Sequence, residues 1–492
     1  MDKTFLDSLK DITNYKFTEN GAITHNTTKS AVFDMFAMGA AYRKRNDADC
    51  ILLFKNALEE NESLAMKCLF YIRDILEGQG ERRFFRVCFK WLCDERPEVA
   101  KRNIDKIAEY GRWDDVLYAT DDTKMQDYAM FIVKEQLALD LESKTPSLLG
   151  KWLPSENCSS HKTKKIASKV RKYLKLTHKE YRKILSTLRQ RINIVERLMS
   201  ENRWDEIEFD KIPSRAGMIY KNAFARRDLI KEKYREFAKS TETKVNAKTL
   251  YPYDIAHKAF NETCYMPLEN TERIMLQKYW DNLPNYYEDN QENGLAIVDT
   301  SGSMTGMPLE AAVSLGAYIA ERGHGPFANH FITFSSCPEL IKFEGVDVTD
   351  KFNRARRASW EMDTNLEAVF DLLLGVALKE GTKQEDLPQR LYILSDMEFN
   401  GCIDDLEWGA GQDEVETLLE GIARKWKNYG YELPQVVFWN LDARQNNIPM
   451  LKGRFAYVSG LSPTILQTIL SGKDGYSLMI EKLMSARYEE IG

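Results

Sequence analysis

Asp299, Ser301 and Ser303 follow directly on the apolar run Leu295-Ala296-Ile297-Val298 and precede a helix-like segment at Pro308-Leu309-Glu310-Ala311-Ala312. A carboxylate and two hydroxyls at alternate positions bring hard oxygens into one small volume, which is the donor chemistry of a magnesium-class cation. The hydroxyls contribute oxygen without neutralising the ion, so it stays electrophilic toward an incoming carboxylate or phosphate. Gly302 and Gly306 let the backbone bend closely there. The bland alternative is that these residues cap a helix, which Asp and Ser also do well.

Two later residues belong to the same pattern. Thr364 stands just before the helical run Leu366-Glu367-Ala368-Val369-Phe370, and Asp396 ends the apolar run Leu391-Tyr392-Ile393-Leu394-Ser395. Strand-end loops converge at the carboxyl edge of an open α/β sheet, where ligands bind. The elements that would build such an edge are legible beyond residue 294. Short β-rich runs at Leu295–Asp299, Phe331–Phe334, Leu391–Leu394, Val436–Trp439 and Phe455–Val458 alternate with helical stretches near 308–322, 365–379, 413–429 and 463–470. This alternation predicts a doubly wound, mostly parallel sheet with helices on both faces.

At this point the sequence resembles the von Willebrand factor A-type domain and its metal-ion-dependent adhesion site. Asp299, Ser301 and Ser303 match its Asp-x-Ser-x-Ser element, Thr364 its separate threonine and Asp396 its later strand-end aspartate. The resemblance implies a Rossmann-like domain over 294–492, a Mg²⁺ or Mn²⁺ ion held partly through water, and an open position for an acidic group of a partner.

Residues 28 to 280 read differently. Apolar residues recur at helical spacing through Ala31–Phe36, Ala48–Leu58, Leu64–Leu76 and Phe84–Leu92, joined by short polar turns. Stacked helix pairs of this length predict a solenoid or curved bundle over 1–285. Within it, residues 151–197 hold fourteen Lys or Arg against Glu156, Glu180 and Glu196, a local charge of +11 in a chain whose net charge is -6. Ile166, Val170, Tyr173 and Leu174 share one helix face, and Thr177 with Glu180 fits a capping box that opens a second helix carrying Tyr181, Leu185 and Leu188. The expected product is a helix hairpin with a cationic exterior, suited to phosphate backbones. Its candidate contacts are Lys162, Lys164, Lys165, Lys169, Arg171, Lys172, Lys175, Arg182, Lys183, Arg189 and Arg191, with Arg215 as an extension. The competing reading is a solvated charged face.

The opening Phe17-Thr18-Glu19-Asn20-Gly21-Ala22, with Asn26-Thr27-Thr28 and the helix from Ala31, resembles the entrance of the helical-repeat module of Ro-type (TROVE) RNA-binding proteins, in which HEAT-like repeats precede an A-type domain. A closer resemblance is to an uncharacterised Ro-like family. It is carried by Gly78-Gln79-Gly80-Glu81-Arg82, Tyr110-Gly111-Arg112-Trp113, Pro213-Ser214-Arg215, Leu250-Tyr251-Pro252, Val437-Phe438-Trp439-Asn440-Leu441 and Val458-Ser459-Gly460-Leu461-Ser462. These resemblances imply binding of small noncoding or misfolded RNA.

Composition narrows the alternatives. With 492 residues and 43% hydrophobic content the chain can bury the cores of two or three domains. The start Met1-Asp2-Lys3-Thr4-Phe5 has no signal-peptide pattern and no apolar run reaches membrane-spanning length, so a cytoplasmic protein without membrane contact is expected. Eight cysteines and six histidines show neither paired Cys-x-x-Cys spacing nor a His-Glu-x-x-His run, which argues against a zinc hydrolase. No phosphate loop, nucleophile elbow or dinucleotide fingerprint is present, so no enzyme is expected. Two alternatives to RNA binding remain: a metal-dependent adaptor for an acidic protein ligand, and a metal-dependent nuclease in which Glu398, Asp404 and Asp405 supplement Asp396.

Overall fold

Apolar runs without polar alternation make strands that are buried on both faces, and five of them form the centre of the molecule. The computed structural model describes residues 13–261, 268–288, 291–334, 337–356, 364–401, 416–451, 453–470 and 474–492. Two short strands, β1 (Tyr15–Phe17) and β2 (Ile23–His25), form an antiparallel pair. Six more, β3 (Gly294–Asp299), β4 (His330–Phe334), β5 (Glu339–Lys342), β6 (Arg390–Ser395), β7 (Gln435–Asn440) and β8 (Phe455–Ser459), make one sheet in the order β5-β4-β3-β6-β7-β8. All its pairings are parallel except that of β4 with β5. The molecule is thus helical in its N-terminal region and mixed α/β beyond it.

Counted within the sheet, the strand order is 3-2-1-4-5-6, the doubly wound order whose direction reverses between the first and fourth strands. Those strands are β3 and β6, paired with Val298 beside Leu394. The register therefore sets Asp299 and Ser395–Asp396 side by side at the carboxyl edge.

The helical region is not an independent solenoid. Leu295, Ile297, Leu391, Ile393, Val436 and Phe438 on one face of the sheet share a core with side chains from residues 22–129. Ala296, Val298, Tyr392, Leu394, Val437 and Trp439 on the other face share a second core with residues 195–287. Solenoid repeats touch only their neighbours. Here the helix Ala31–Met38 packs on β8, and the helix Glu62–Arg73 packs on the C-terminal helix Gly475–Leu483. A third, smaller core of Leu117, Met130, Val133, Leu149, Ile166, Val170, Tyr181, Leu185 and Leu188 contains no strand residue. No helix among the described residues is long and apolar enough to cross a membrane.

Candidate functional site

At the β3–β6 edge, burial and hydrogen bonding gather four of the five predicted metal-site residues into one network. Asp299, Ser301 and Asp396 are buried. The Ser301 backbone N–H donates to Asp299 Oδ1 at 2.9 Å, and the Ser301 and Ser303 hydroxyls lie 3.0 Å apart. Ser395 donates its hydroxyl to Asp299 Oδ2, which ties the two strand ends together. The Ser303 hydroxyl stands beside the Asp396 carboxyl and favours its charged form against burial. The chain then turns at Met397, whose φ of 66° lies in the left-handed region that an unbranched non-glycine side chain adopts only at a cost. In that turn Met397 N–H donates to the Ser395 hydroxyl and Glu398 N–H donates to Asp396 Oδ1.

Both carboxyls are pushed above the usual range. Burial is the main cause for Asp299, with the Asp396 charge adding to it; burial also dominates at Asp396, opposed by the Ser303 hydroxyl and Arg444. Asp396 Oδ2 is buried and has no hydrogen-bond partner, although the Arg444 guanidinium stands 3.4 Å away. Two buried carboxyls, one of them raised further by the other's charge, an Asp396 oxygen that accepts no hydrogen bond, and neighbouring hydroxyls fit a small divalent cation. Among the described residues no group of three His, Cys, Asp or Glu is arranged to hold a metal, so a cation here would rest on hydroxyls as much as on carboxylates.

Thr364, the fifth residue, is buried against the loop that follows β6: its carbonyl accepts Asn400 N–H at 3.1 Å and its hydroxyl donates to Asn400 Oδ1 at 2.6 Å. Glu398 is fully buried and pushed upward by that burial, and its Oε1 is orphaned. Asp404 and Asp405 lie outside the described residues.

The basic hairpin forms as its spacing predicts. Helices His161–Tyr173 and His178–Arg191 are joined at Thr177, which accepts Glu180 N–H while the Glu180 carboxylate accepts Thr177 N–H. Its cations fall into two sets. Lys165 and Lys169 pair with Asp121 and Asp122, Arg171 pairs with Glu156 at 2.8 Å, and Arg189 and Arg191 bond carbonyls of residues 140–153. These five fasten the hairpin to its neighbours. By contrast Lys164, Lys172, Lys175 and Lys183 are exposed with no ion pair among the described residues, and the exposed Arg182 bonds only its own helix at the His178 carbonyl.

Arg215 stands on a separate helix from the hairpin. Its helix, Ser214–Arg226, packs on Lys231–Lys239 and Asn270–Asp281, and Arg215 itself lies 5.5 Å over the Tyr251 ring and 3.5 Å from Asp254.

A strip of paired cations and aromatics joins the hairpin to the main body, and residue spacing gave no sign of it. Tyr118 is flanked by Arg86 at 4.5 Å and Lys162 at 5.4 Å, and its hydroxyl meets that of Thr163 at 2.7 Å. Trp152 carries Arg112 at 4.1 Å and Lys151 at 5.6 Å. Beneath the strip, fully buried Asp115 binds both Arg73 and Arg86. Burial alone would raise the Asp115 carboxyl, but the two guanidiniums hold it below its ordinary range.

The sequence landmarks meet where helices join sheet. The Gln79 amide and Ala40 N–H both reach the Ser459 hydroxyl, and Thr464 donates to the Gly78 carbonyl at 2.7 Å. Gly460 has φ 102°, and a Cβ there would stand 2.9 Å from Ala40 Cβ, so both turn and contact require glycine.

The sequence profile of one domain of unknown function, DUF2828, matches residues 18–118 and 149–292, and that of a second, DUF7788, matches residues 293–489. The crystal structure of the RO (RSR) protein of Deinococcus radiodurans aligns with a TM-score of 0.49 at 13% identity, over 91% of this chain and 100% of that one. The uncharacterized protein L728 of Acanthamoeba polyphaga mimivirus is 30% identical over 505 residues, spanning 94% of this chain and 85% of that protein. Identity sustained over 94% of this chain means that it belongs to the same family as this mimivirus protein, and in this chain the DUF2828 region precedes the DUF7788 region.

Proposed function

We propose that this chain is a Ro-like RNA-binding protein. In this reading the helix hairpin His161–Arg191 takes the phosphate backbone, and the β3–β6 edge is a von Willebrand A-type metal site. The observation that carries it is the division of the hairpin's charge: five cations are spent on structure, while Lys164, Lys172, Lys175, Arg182 and Lys183 remain exposed. A solvated face made only for solubility would not need a same-sign surface in a chain of net charge -6; a polyanion does. Lys162 beside Tyr118 and Lys151 beside Trp152 continue that surface next to aromatic rings, the pairing of cation and ring that suits single-stranded segments, while Arg86 and Arg112 are held by Asp114 and Asp115. The sequence resemblance to Ro-type proteins points to structured or misfolded small RNAs as the class.

At the sheet edge, Asp299, Ser301, Ser303, Thr364 and Asp396 would hold Mg²⁺ or Mn²⁺. When bound, the ion supplies an electrophilic position for an acidic group. The residues themselves set that position: Ser395 fixes Asp299, and the turn at Met397 fixes Asp396. Because Ser301, Ser303 and Thr364 would contribute neutral oxygens, the two carboxylates would at most balance the ion and leave a coordination position for an acidic protein ligand, which supports an adaptor role beside RNA binding. Filter binding of labelled structured RNA across a salt series tests the main reading; affinity that ignores salt would overturn it. Partner capture with and without EDTA, using wild type and Asp299→Ala, tests the adaptor reading.

A further inference from the structure

We propose that Asn20, a residue of the N-terminal loop, is a positioning residue of the cation site, so that docking of this loop and binding of the ion reinforce each other. The inference rests on the metal reading above. The Asn20 side-chain amide donates to the Thr364 hydroxyl at 2.9 Å and to the Glu398 carbonyl at 2.6 Å. The Thr364 hydroxyl in turn donates to Asn400 Oδ1. A threonine hydroxyl has one hydrogen and two lone pairs on a freely turning bond. A donor on one side and an acceptor on the other stop that rotation and set the direction of the oxygen.

The loop is built to hold Asn20 in place. Thr18 donates its hydroxyl to the Phe399 carbonyl at 2.7 Å and accepts Ala22 N–H, which closes the turn over Gly21 at φ 90°. Glu19 N–H donates to Glu398 Oε2 at 2.8 Å, and Gly401 N–H donates to the Asn20 carbonyl at 3.1 Å. A Cβ on Gly401 would stand 3.0 Å from the Gly21 carbonyl oxygen, so the two loops are in close contact.

A second connection runs through charge. The Glu19 carboxylate binds Arg444 at 2.7 Å, and the same guanidinium stands 3.4 Å from Asp396 Oδ2. Two of the five predicted ligands, Thr364 and Asp396, therefore have a loop residue as direct partner or one guanidinium away. Groups that orient metal ligands from behind contribute roughly 10–100-fold in affinity. By reciprocity, whatever the docked loop adds to ion binding, the ion adds to loop docking.

The test titrates Mn²⁺ into the full chain as wild type, Asp299→Ala and Asn20→Ala, and follows amide hydrogen exchange of residues 18–21 with and without Mn²⁺. The expected result is Mn²⁺ binding weakened about 10–100-fold in Asn20→Ala, and exchange at 18–21 slowed by Mn²⁺ in wild type but not in Asp299→Ala. Wild type and Asp299→Ala alike in Mn²⁺ binding would remove the metal reading itself. Loss of the ion in Asp299→Ala alone, with Asn20→Ala binding as wild type and exchange indifferent to Mn²⁺, would remove the positioning role and leave the metal reading standing. A loop that merely fastened the N-terminus would change thermal stability and not the exchange response. The exchange experiment on wild type needs no variant, so it decides the matter even if Asn20→Ala does not fold.

Discussion

The sheet edge around Asp299 and the hairpin around Lys172 use charge in opposite ways. At the edge the charged groups are buried and each is held by partners from remote parts of the sequence, such as Ser395 for Asp299 and Arg444 for Asp396. On the hairpin the free charges are exposed, and the core beneath them contains no sheet residue. On the proposed metal reading, chemistry that depends on the direction of an oxygen would be placed where the two halves of the chain interlock. On the proposed RNA reading, chemistry that depends only on charge density would be placed on a region whose core is separate from the sheet.

The sharpest way to break this contrast is to remove a buried charge from the body. Asp115→Ala leaves Arg73 and Arg86 without their shared carboxylate, and unpairing buried charges costs about 3–5 kcal/mol. Urea unfolding should show that loss, accompanied by weaker packing of the Tyr118 strip above it. A loss below 1 kcal/mol would mean that the body tolerates charge as the hairpin does.

The opposite expectation holds for the hairpin. Reversing Lys164, Lys172, Lys175 and Lys183 to Glu should weaken RNA binding roughly 100-fold near 0.1 M salt and flatten the salt dependence by about three units of log–log slope. The urea midpoint should stay near that of wild type, because exposed substitutions away from contacts change little. The matching set Lys165, Lys169 and Arg171 should do less to RNA and more to stability, since those cations pair with Asp121, Asp122 and Glu156.

That partition was not legible in the sequence. The +11 charge and both hairpin helices are, because helix periodicity and the Thr177–Glu180 box are local signals. Which lysines are already paired depends on acids at 121–122 and 156, brought close only by folding. The strands β3, β6, β7 and β8 read plainly because both-face burial leaves continuous apolar runs. β5 did not: it is an edge strand in which only Ile341 is buried. β1 and β2, three residues each, are too short for any period to show. Asp299 and Asp396 could be placed together from strand ends alone, whereas nothing in local spacing links Asn20 to Thr364, 344 residues away.

A metal titration probes the edge from the other side. If the ion binds the folded chain only, Mg²⁺ or Mn²⁺ at a hundredfold excess over its dissociation constant adds about 2.7 kcal/mol of stability. Thermal melts should show the gain in wild type and not in Asp299→Ala. The hairpin, whose core is separate, should show no metal-dependent change in hydrogen exchange; protection spreading into residues 161–191 would mean that the two regions are coupled after all.

The smallest effect gives the most local test. Thr177→Ala removes the hydroxyl that accepts Glu180 N–H at the start of the second hairpin helix, and loss of such a cap costs about 1 kcal/mol. Because Tyr181, Leu185 and Leu188 pack against Leu149, Leu153, Ile166 and Val170 rather than against the sheet, the cost should appear as faster exchange within residues 161–191 with β3 and β6 unchanged. RNA affinity should fall only by the fraction of time the hairpin is open. If β3 and β6 exchange faster as well, the hairpin is part of the body's cooperative unit, and its surface cannot be tuned for RNA independently of the sheet edge.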